Sequence, residues 1–212
     1  MGIISKGILG PFSGTVGTVI GGTWKGIPYM RSKPLPVDRE PSLAQLEQRA
    51  RFSLITRFLQ TMTPLVHVSF KEMAVKMSGF NSAFSYNIKN AVTGVYPDYE
   101  IDYSLALVSR GDLPNALNPA AALGAGTSIV FTWTNNSGMG KAAPTDSSIL
   151  VVYCPGRNQC IFDFGPQRST GTANIPVAAF AGEEVETWIG FISQDTKSVA
   201  TSVYTGQLAI PV

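Results

Sequence analysis

The chain has 212 residues, of which 44% are hydrophobic and only 14% charged, with 21 glycines, 14 prolines, two cysteines and one histidine. This length suits one large or two small domains, and the apolar share excludes wholesale disorder. One histidine and two cysteines remove most metal and nucleophile schemes, and a charged share far below the usual ~25% fits either a small, polar-neutral exterior or a surface partly covered by partners.

Residues 1–36 hold eight of the glycines, among them Gly7, Gly10, Gly14, Gly17 and Gly21. Their alternating spacing of three and four would make a smooth helical face. Threonine, valine and Pro11 favour extended chain instead, and Pro28, Pro34 and Pro36 continue it in that form. The segment therefore reads as a glycine- and proline-rich extended arm. None of these glycines is followed by Lys-Ser or Lys-Thr, so a phosphate-cradling loop is excluded. The uncharged run from Gly7 to Trp24 lacks the apolar centre and cleavage site of a signal peptide. It is too rich in glycine and threonine for a membrane helix. The expectation is cytoplasmic synthesis without a membrane span, and a final location in a virion or extracellular particle. A lone strand through residues 8–27 cannot bury both its faces. It must join the chain's own β domain or pair with another copy, and Phe12, Val16, Val19, Ile20 and Trp24 are the candidate assembly residues.

Residues 37–94 read as helical. Ser42 with Gln45 forms a capping box, and Leu43, Leu46, Ala50, Leu54, Phe58 and Met62 recur at steps of three and four. Pro64 marks a break. A second helix follows with Val66, Phe70, Met73 and Met77 inside, ended by Gly79. Asn81 then caps a short third helix carrying Phe84 and Ile88 and closed by Gly94. His67, beside the second stripe, has no partner acid or base specified by sequence and reads as structural.

Residues 95–212 read as β throughout. Strands are expected at 101–107, 128–134, 149–154, 160–164, 185–192, 198–204 and 207–210, separated by turn signals such as Pro155-Gly156 and Thr205-Gly206. The whole is mainly β with a helical insert (α+β): an immunoglobulin-like β-sandwich preceded by a glycine-rich strand segment and two to three helices. Cys154 and Cys160 flank the Pro155-Gly156 turn, so a short-loop disulfide and two free thiols both stay open.

Charge is uneven. Residues 1–90 carry eleven Lys/Arg against four Asp/Glu, and residues 91–212 carry five against ten. The basic half could meet an anionic polymer, the acidic half of another copy, or the acidic half of its own fold. The absence of any block of like charges argues against nucleic acid. Among motifs, Arg110-Gly111-Asp112 is ordinary turn chemistry as well as an adhesion tripeptide. Asp98, Glu100 and Asp102 alternate along a strand without a calcium loop. Glu183, Glu184 and Glu186 invite a glycosidase pair that sequence cannot place. Trp133, Tyr153, Trp188 and Phe191 read as core before sugar platform.

At Gly10-Pro11-Phe12-Ser13-Gly14-Thr15-Val16-Gly17, Trp24-Lys25-Gly26 and Met30-Arg31-Ser32-Lys33-Pro34 the chain resembles an uncharacterised family common in Bacteroidota. The resemblance continues at Gln48-Arg49-Ala50-Arg51-Phe52, Phe80-Asn81, Ser85-Tyr86-Asn87, Tyr96-Pro97, Ile101-Asp102-Tyr103 and Phe131-Thr132-Trp133. It implies no catalytic residue, cofactor, metal or substrate, and through phage-like and mobile gene neighbourhoods it implies a virion or particle component. The expectation is thus a non-enzymatic structural protein that assembles with copies of itself, and with other structural proteins as further partners. The alternative is a sandwich module that binds carbohydrate or protein.

Overall fold

The computed structural model describes residues 2–4, 10–35 and 40–211. The chain divides into two compact units, 1–42 and 43–212. The first is an antiparallel meander of four strands in chain order: β1 (Ile3–Ile4), β2 (Phe12–Val16), β3 (Val19–Trp24) and β4 (Ile27–Ser32). Its hairpins turn on Gly17-Thr18 and Lys25-Gly26. In the latter both residues take positive φ (48° and 82°), the conformation a type I′ turn requires. The extended arm predicted for 1–36 is therefore folded into four antiparallel strands. Two-residue loops at these positions are the signal that a single-strand reading passes over.

The second unit opens with α1 (Leu43–Gln60), α2 (Thr63–Ser69), with a proline in its first turn, and α3 (Gly79–Asn90). In α1 the buried residues are Ile55, Phe58 and Leu59, continued by Met62, while Leu43 at the predicted stripe's start is exposed. The boundary after α2 differs from expectation. The helix ends at Ser69, the chain turns through 70–78, and Gly79 begins the next helix rather than ending this one. Ser78 is the N-cap, accepting from the Asn81 amide at 3.2 Å. Gly79 sits where α3 crosses α2, and a Cβ there would lie 2.6 Å from the Val66 carbonyl oxygen. Only glycine permits that approach.

A short hairpin, β5 (Val92–Val95) and β6 (Asp98–Ile101), precedes an irregular stretch where a strand over 101–107 was predicted. That stretch is pinned by side chains. Asn87, fully buried, donates to the Ala83 and Leu107 carbonyls and accepts from the Leu107 amide, all within 2.9–3.0 Å. Trp188 Nε1 donates to the Ala106 carbonyl at 3.1 Å.

The remaining strands are β7 (Leu117–Leu123), β8 (Ser128–Thr134), β9 (Ser147–Cys154), β10 (Gln159–Gln167), β11 (Thr172–Pro176), β12 (Glu184–Ile192) and β13 (Val203–Ala209). They form two sheets, of order β10-β9-β12-β13 and β11-β8-β7. Three strands facing four in this order is the sandwich topology of immunoglobulin-like domains. β7 and β11 were not foreseen, being rich in alanine, asparagine and proline. Of the two strands expected at 198–204 and 207–210, residues 198–202 lie outside the sheet with only isolated bridges at Val199 and Ala200, and 203–209 form one strand, β13, whose ladder with β12 shifts register beside Gly206.

The four-stranded sheet is covered on both faces. One face meets the three-stranded sheet through Leu150, Val152, Ile189 and Phe191 against Ile129, Phe131 and Ile175. The other, through Ile149, Val151, Tyr153 and Trp188, meets Phe58, Leu59, Met62, Leu65 and Phe70 of the helical segment. This is why Ile149 to Cys154 reads as an unbroken apolar run rather than an alternating one. It also removes the boundary expected at residue 94: helices and sandwich share a core, in three layers. At one end Arg168, fully buried, ion-pairs with Asp146 at 3.1 Å and donates to Asn136 Oδ1 and the Pro114 carbonyl. Its guanidinium lies 3.8 Å from the centroid of Phe191.

Candidate assembly surface

In the first unit the register decides which side chains share a face, since directly opposed residues point the same way. Gly21 opposes Met30 and Gly14, and Val19 opposes Val16 and Ser32. One face therefore carries Phe12, Val16, Val19, Pro28 and Met30. On the other, Trp24 opposes Ile27, Gly22 opposes Tyr29, and Ile20 opposes Arg31 and Thr15. Each face holds an aromatic ring on a glycine. A Cβ on Gly21 would come within 2.7–2.8 Å of Phe12 ring carbons, and one on Gly22 within 3.0 Å of Tyr29. The five predicted assembly residues are thus split, with Phe12, Val16 and Val19 on one face and Ile20 and Trp24 on the other. Tyr29 and Met30, which help complete the two faces, were missed because 28–36 read as a proline-punctuated connector; Ile27, at the end of the 8–27 segment, was passed over.

Among the described residues of this unit only Gly21 is buried. Val16 is 52% exposed, Trp24 58%, and Ile27 and Met30 70% each. Grooves of about 310 Å³ and 530 Å³ open beside β4, the first between Phe12, Pro28, Tyr29 and Met30, the second between Val19, Met30, Arg31 and Leu35. Both faces of the sheet thus carry large exposed apolar side chains. The edges are less inviting. In a two-residue hairpin the closing pair Trp24 and Ile27 exchanges both hydrogen bonds, so alternate residues Pro28, Met30 and Ser32 turn their main chain outward. Pro28 has no N–H to offer there, which blunts strand addition. Strand donation by residues 8–27 meets a second obstacle, since Gly14–Val16 and Val19–Trp24 already pair within the sheet.

The uneven charge resolves differently from the sequence split. The first unit has five basic and two acidic residues, the second eleven and twelve, so the basic helices lie in the same folded unit as most of the acids. The other motifs are absorbed by the fold. Glu183 pairs with Arg157 at 3.0 Å, Glu184 accepts from Gln207 and the buried Glu186 accepts from Tyr204. Burial raises the Glu186 carboxyl above its ordinary range. Asp102 accepts from the Ser104 amide and hydroxyl. Gly111 of the Arg-Gly-Asp turn packs on the Val199 carbonyl, and Arg110 lies over the Tyr86 ring. Trp133, Tyr153, Trp188 and Phe191 are all core, so none offers a sugar platform. His67 is exposed on the last turn of α2. Among the described residues no group of His, Cys, Asp and Glu could hold a metal ion, and no helix is long and apolar enough to cross a membrane.

The cysteines are free, and the register explains why. Cys154 opposes Gln159 while Cys160 opposes Tyr153, so the thiols point to opposite faces of the sheet, Cys154 between the sheets and Cys160 towards the helices. The turn between them places Asn158, not Gly156, at positive φ, so it is not type II.

Residues 11–206 match the family described as "Family of unknown function (DUF6266)", and the chain belongs to that family. No curated protein matches it. Among solved structures it is similar to the solution structure of the fn3 domain of human collagen alpha-1(XX) chain, at 16% identity and a TM-score of 0.33, over 49% of this chain and 92% of that domain. So low a score carries no argument, and the sandwich assignment stands on the strand order.

Proposed function

We propose that this protein is a non-enzymatic structural component that assembles with copies of itself through the apolar faces of its N-terminal sheet. The observation behind this reading is a four-stranded sheet with large apolar side chains on both faces and, among its described residues, a single buried one. Such a sheet has no interior of its own, and packing a second sheet about 10 Å away would bury Trp24, Ile27 and Tyr29, or Phe12, Val16 and Met30. Face packing replaces strand pairing as the mode of association because Pro28 interrupts the accessible edge. It also predicts that association survives high salt, since apolar contact is not screened as charge pairing is. The test is the mass of the full chain by light scattering at low salt and at about 1 M salt, where the Debye length falls to ~3 Å. An oligomer retained at both, and reduced to the 22.6 kDa monomer by Trp24→Ser with Met30→Ser, is the expected result. A 22.6 kDa monomer for the unmodified chain at every concentration would overturn it. An oligomer that dissolves with salt would return the assembly to charge pairing.

A further inference from the structure

We propose that the cleft between α3 and the Arg110 turn binds a small ligand that carries an oxyanion on an apolar body. The cleft has a volume of about 460 Å³; its lining includes Met73, Met77, Ser85, Tyr86, Lys89 and Arg110, together with Ser82 and Asn90. That volume lies in the range of small-molecule sites. Its construction follows from the helix repeat: Ser82, Ser85, Tyr86 and Lys89 recur at steps of three and four and so rise on one face of α3. Arg110 enters from the opposite wall, its amide held by the Ser69 carbonyl at 3.0 Å and its guanidinium 4.9 Å from the centre of the Tyr86 ring.

The charge arrangement supplies the ligand chemistry. Among the described residues the ion pairs are Arg157 with Glu183, Arg168 with Asp146 and Lys197 with Asp195, so neither Arg110 nor Lys89 has a carboxylate at pairing distance. Glu72, in the turn beside Met73, is directed instead to the Val199 amide at 3.2 Å. Stacking on Tyr86 orients the plane of Arg110 while its N–H edge stays available, the geometry that suits bidentate binding of phosphate or carboxylate. The Ser82 hydroxyl and one N–H of the Asn90 amide are already used, on the Met73 and Tyr86 carbonyls, which leaves the Ser85 and Tyr86 hydroxyls as neutral donors. Met73 and Met77 form a soft apolar wall for the remainder of the ligand. The site lies wholly within the second unit and is independent of the assembly reading.

The experiment is amide chemical-shift mapping on the full chain, titrated with phenyl phosphate, with benzoate as the carboxylate counterpart and phenol as the uncharged control. Saturable shifts confined to residues 70–90 and 108–112 with either anion, and none with phenol, are the expected result. Arg110→Met should weaken binding about tenfold or more, and Lys89→Gln, on an exposed helix position, several-fold. Lys89→Gln keeps the test valid if Arg110→Met fails to fold. Shifts that do not saturate, that scatter over other basic residues, or that persist unchanged in both variants would overturn the site. The anion that binds more tightly assigns phosphate or carboxylate.

Discussion

Replacement of Arg168 by methionine is expected to be among the most damaging single changes in the sandwich. Methionine fills much of the aliphatic volume but withdraws every donor at once. Asp146, 2% exposed, is then left as a buried carboxylate without its ion-pair partner, and Asn136 Oδ1 and the Pro114 carbonyl lose their donors. Breaking a buried pair from one side costs about 3–5 kcal/mol, because the cost is the stranded charge more than the lost attraction. At about 2–4 °C per kcal/mol for a chain of this size, Tm falls by roughly 6–20 °C. The same logic predicts partial rescue: Arg168→Met with Asp146→Leu removes the stranded charge and should recover more than half of the loss. Recovery stays incomplete because Asp146 also accepts from the Ala143 amide at 2.9 Å. Urea unfolding followed by the fluorescence of the buried Trp133 and Trp188 measures both variants. A loss below about 1 kcal/mol for the single variant, or a double variant no better than the single, would refute the stranded-charge account.

Two further outcomes follow from the packing. Gly79→Ala should destabilise by about 1–3 kcal/mol, against the usual gain of ~0.5–1 kcal/mol for alanine over glycine in a helix, because its Cβ would meet the Val66 and His67 carbonyls at 2.6 and 2.9 Å. A stabilised variant in the same urea assay would show that α3 can move away from α2. Stability should also fall at alkaline pH. Burial pushes the Cys160 thiol up to about 12 from 9.0, and burial, then the neighbouring cysteines, push the Tyr153 phenol up to about 12 from 10.0. Between those limits the folded chain keeps protons that the unfolded chain releases. Each group therefore lowers stability by about 1.4 kcal/mol per pH unit as pH rises from about 9–10 to about 12. Cys160→Ala should flatten the first part of that decline in urea midpoints taken at pH 8, 9.5 and 11, and a midpoint constant over that range would refute the assignment.

Much of the architecture was legible where local chemistry and global fold agree. The run Ile149-Leu150-Val151-Val152-Tyr153-Cys154 and the segment Val185 to Ile192 are strands because β-branched and aromatic residues fit a pleated surface, and both form as expected. The α1 periodicity marked Phe58 and Met62 as inward. Gly79 was misread because a glycine that ends a helix and one that lets two helices touch look alike in sequence. β7 and β11 escaped because Leu117–Leu123 and Thr172–Pro176 carry little intrinsic strand preference and are held by the hydrogen bonds of β8 between them.

The candidate surface shows the same division. Phe12, Val16, Val19, Ile20 and Trp24 were visible as part of an apolar, glycine-rich segment, and the structure adds the exposed Ile27 and Met30. Which side chains share a face was not visible, because strand register is a period-two property that a one-residue slip would invert. The Arg110 cleft, built from residues twenty positions apart, had no signature at all in the chain. Composition and periodicity determined the class of fold and the helical insert, since each depends on what neighbouring residues prefer. Only the tertiary structure decided that helices and sandwich share a core, that Cys154 and Cys160 face apart, and that Arg110 lies over Tyr86 in a cleft that Lys89 also lines, because each of these depends on which distant segments the packing brings together.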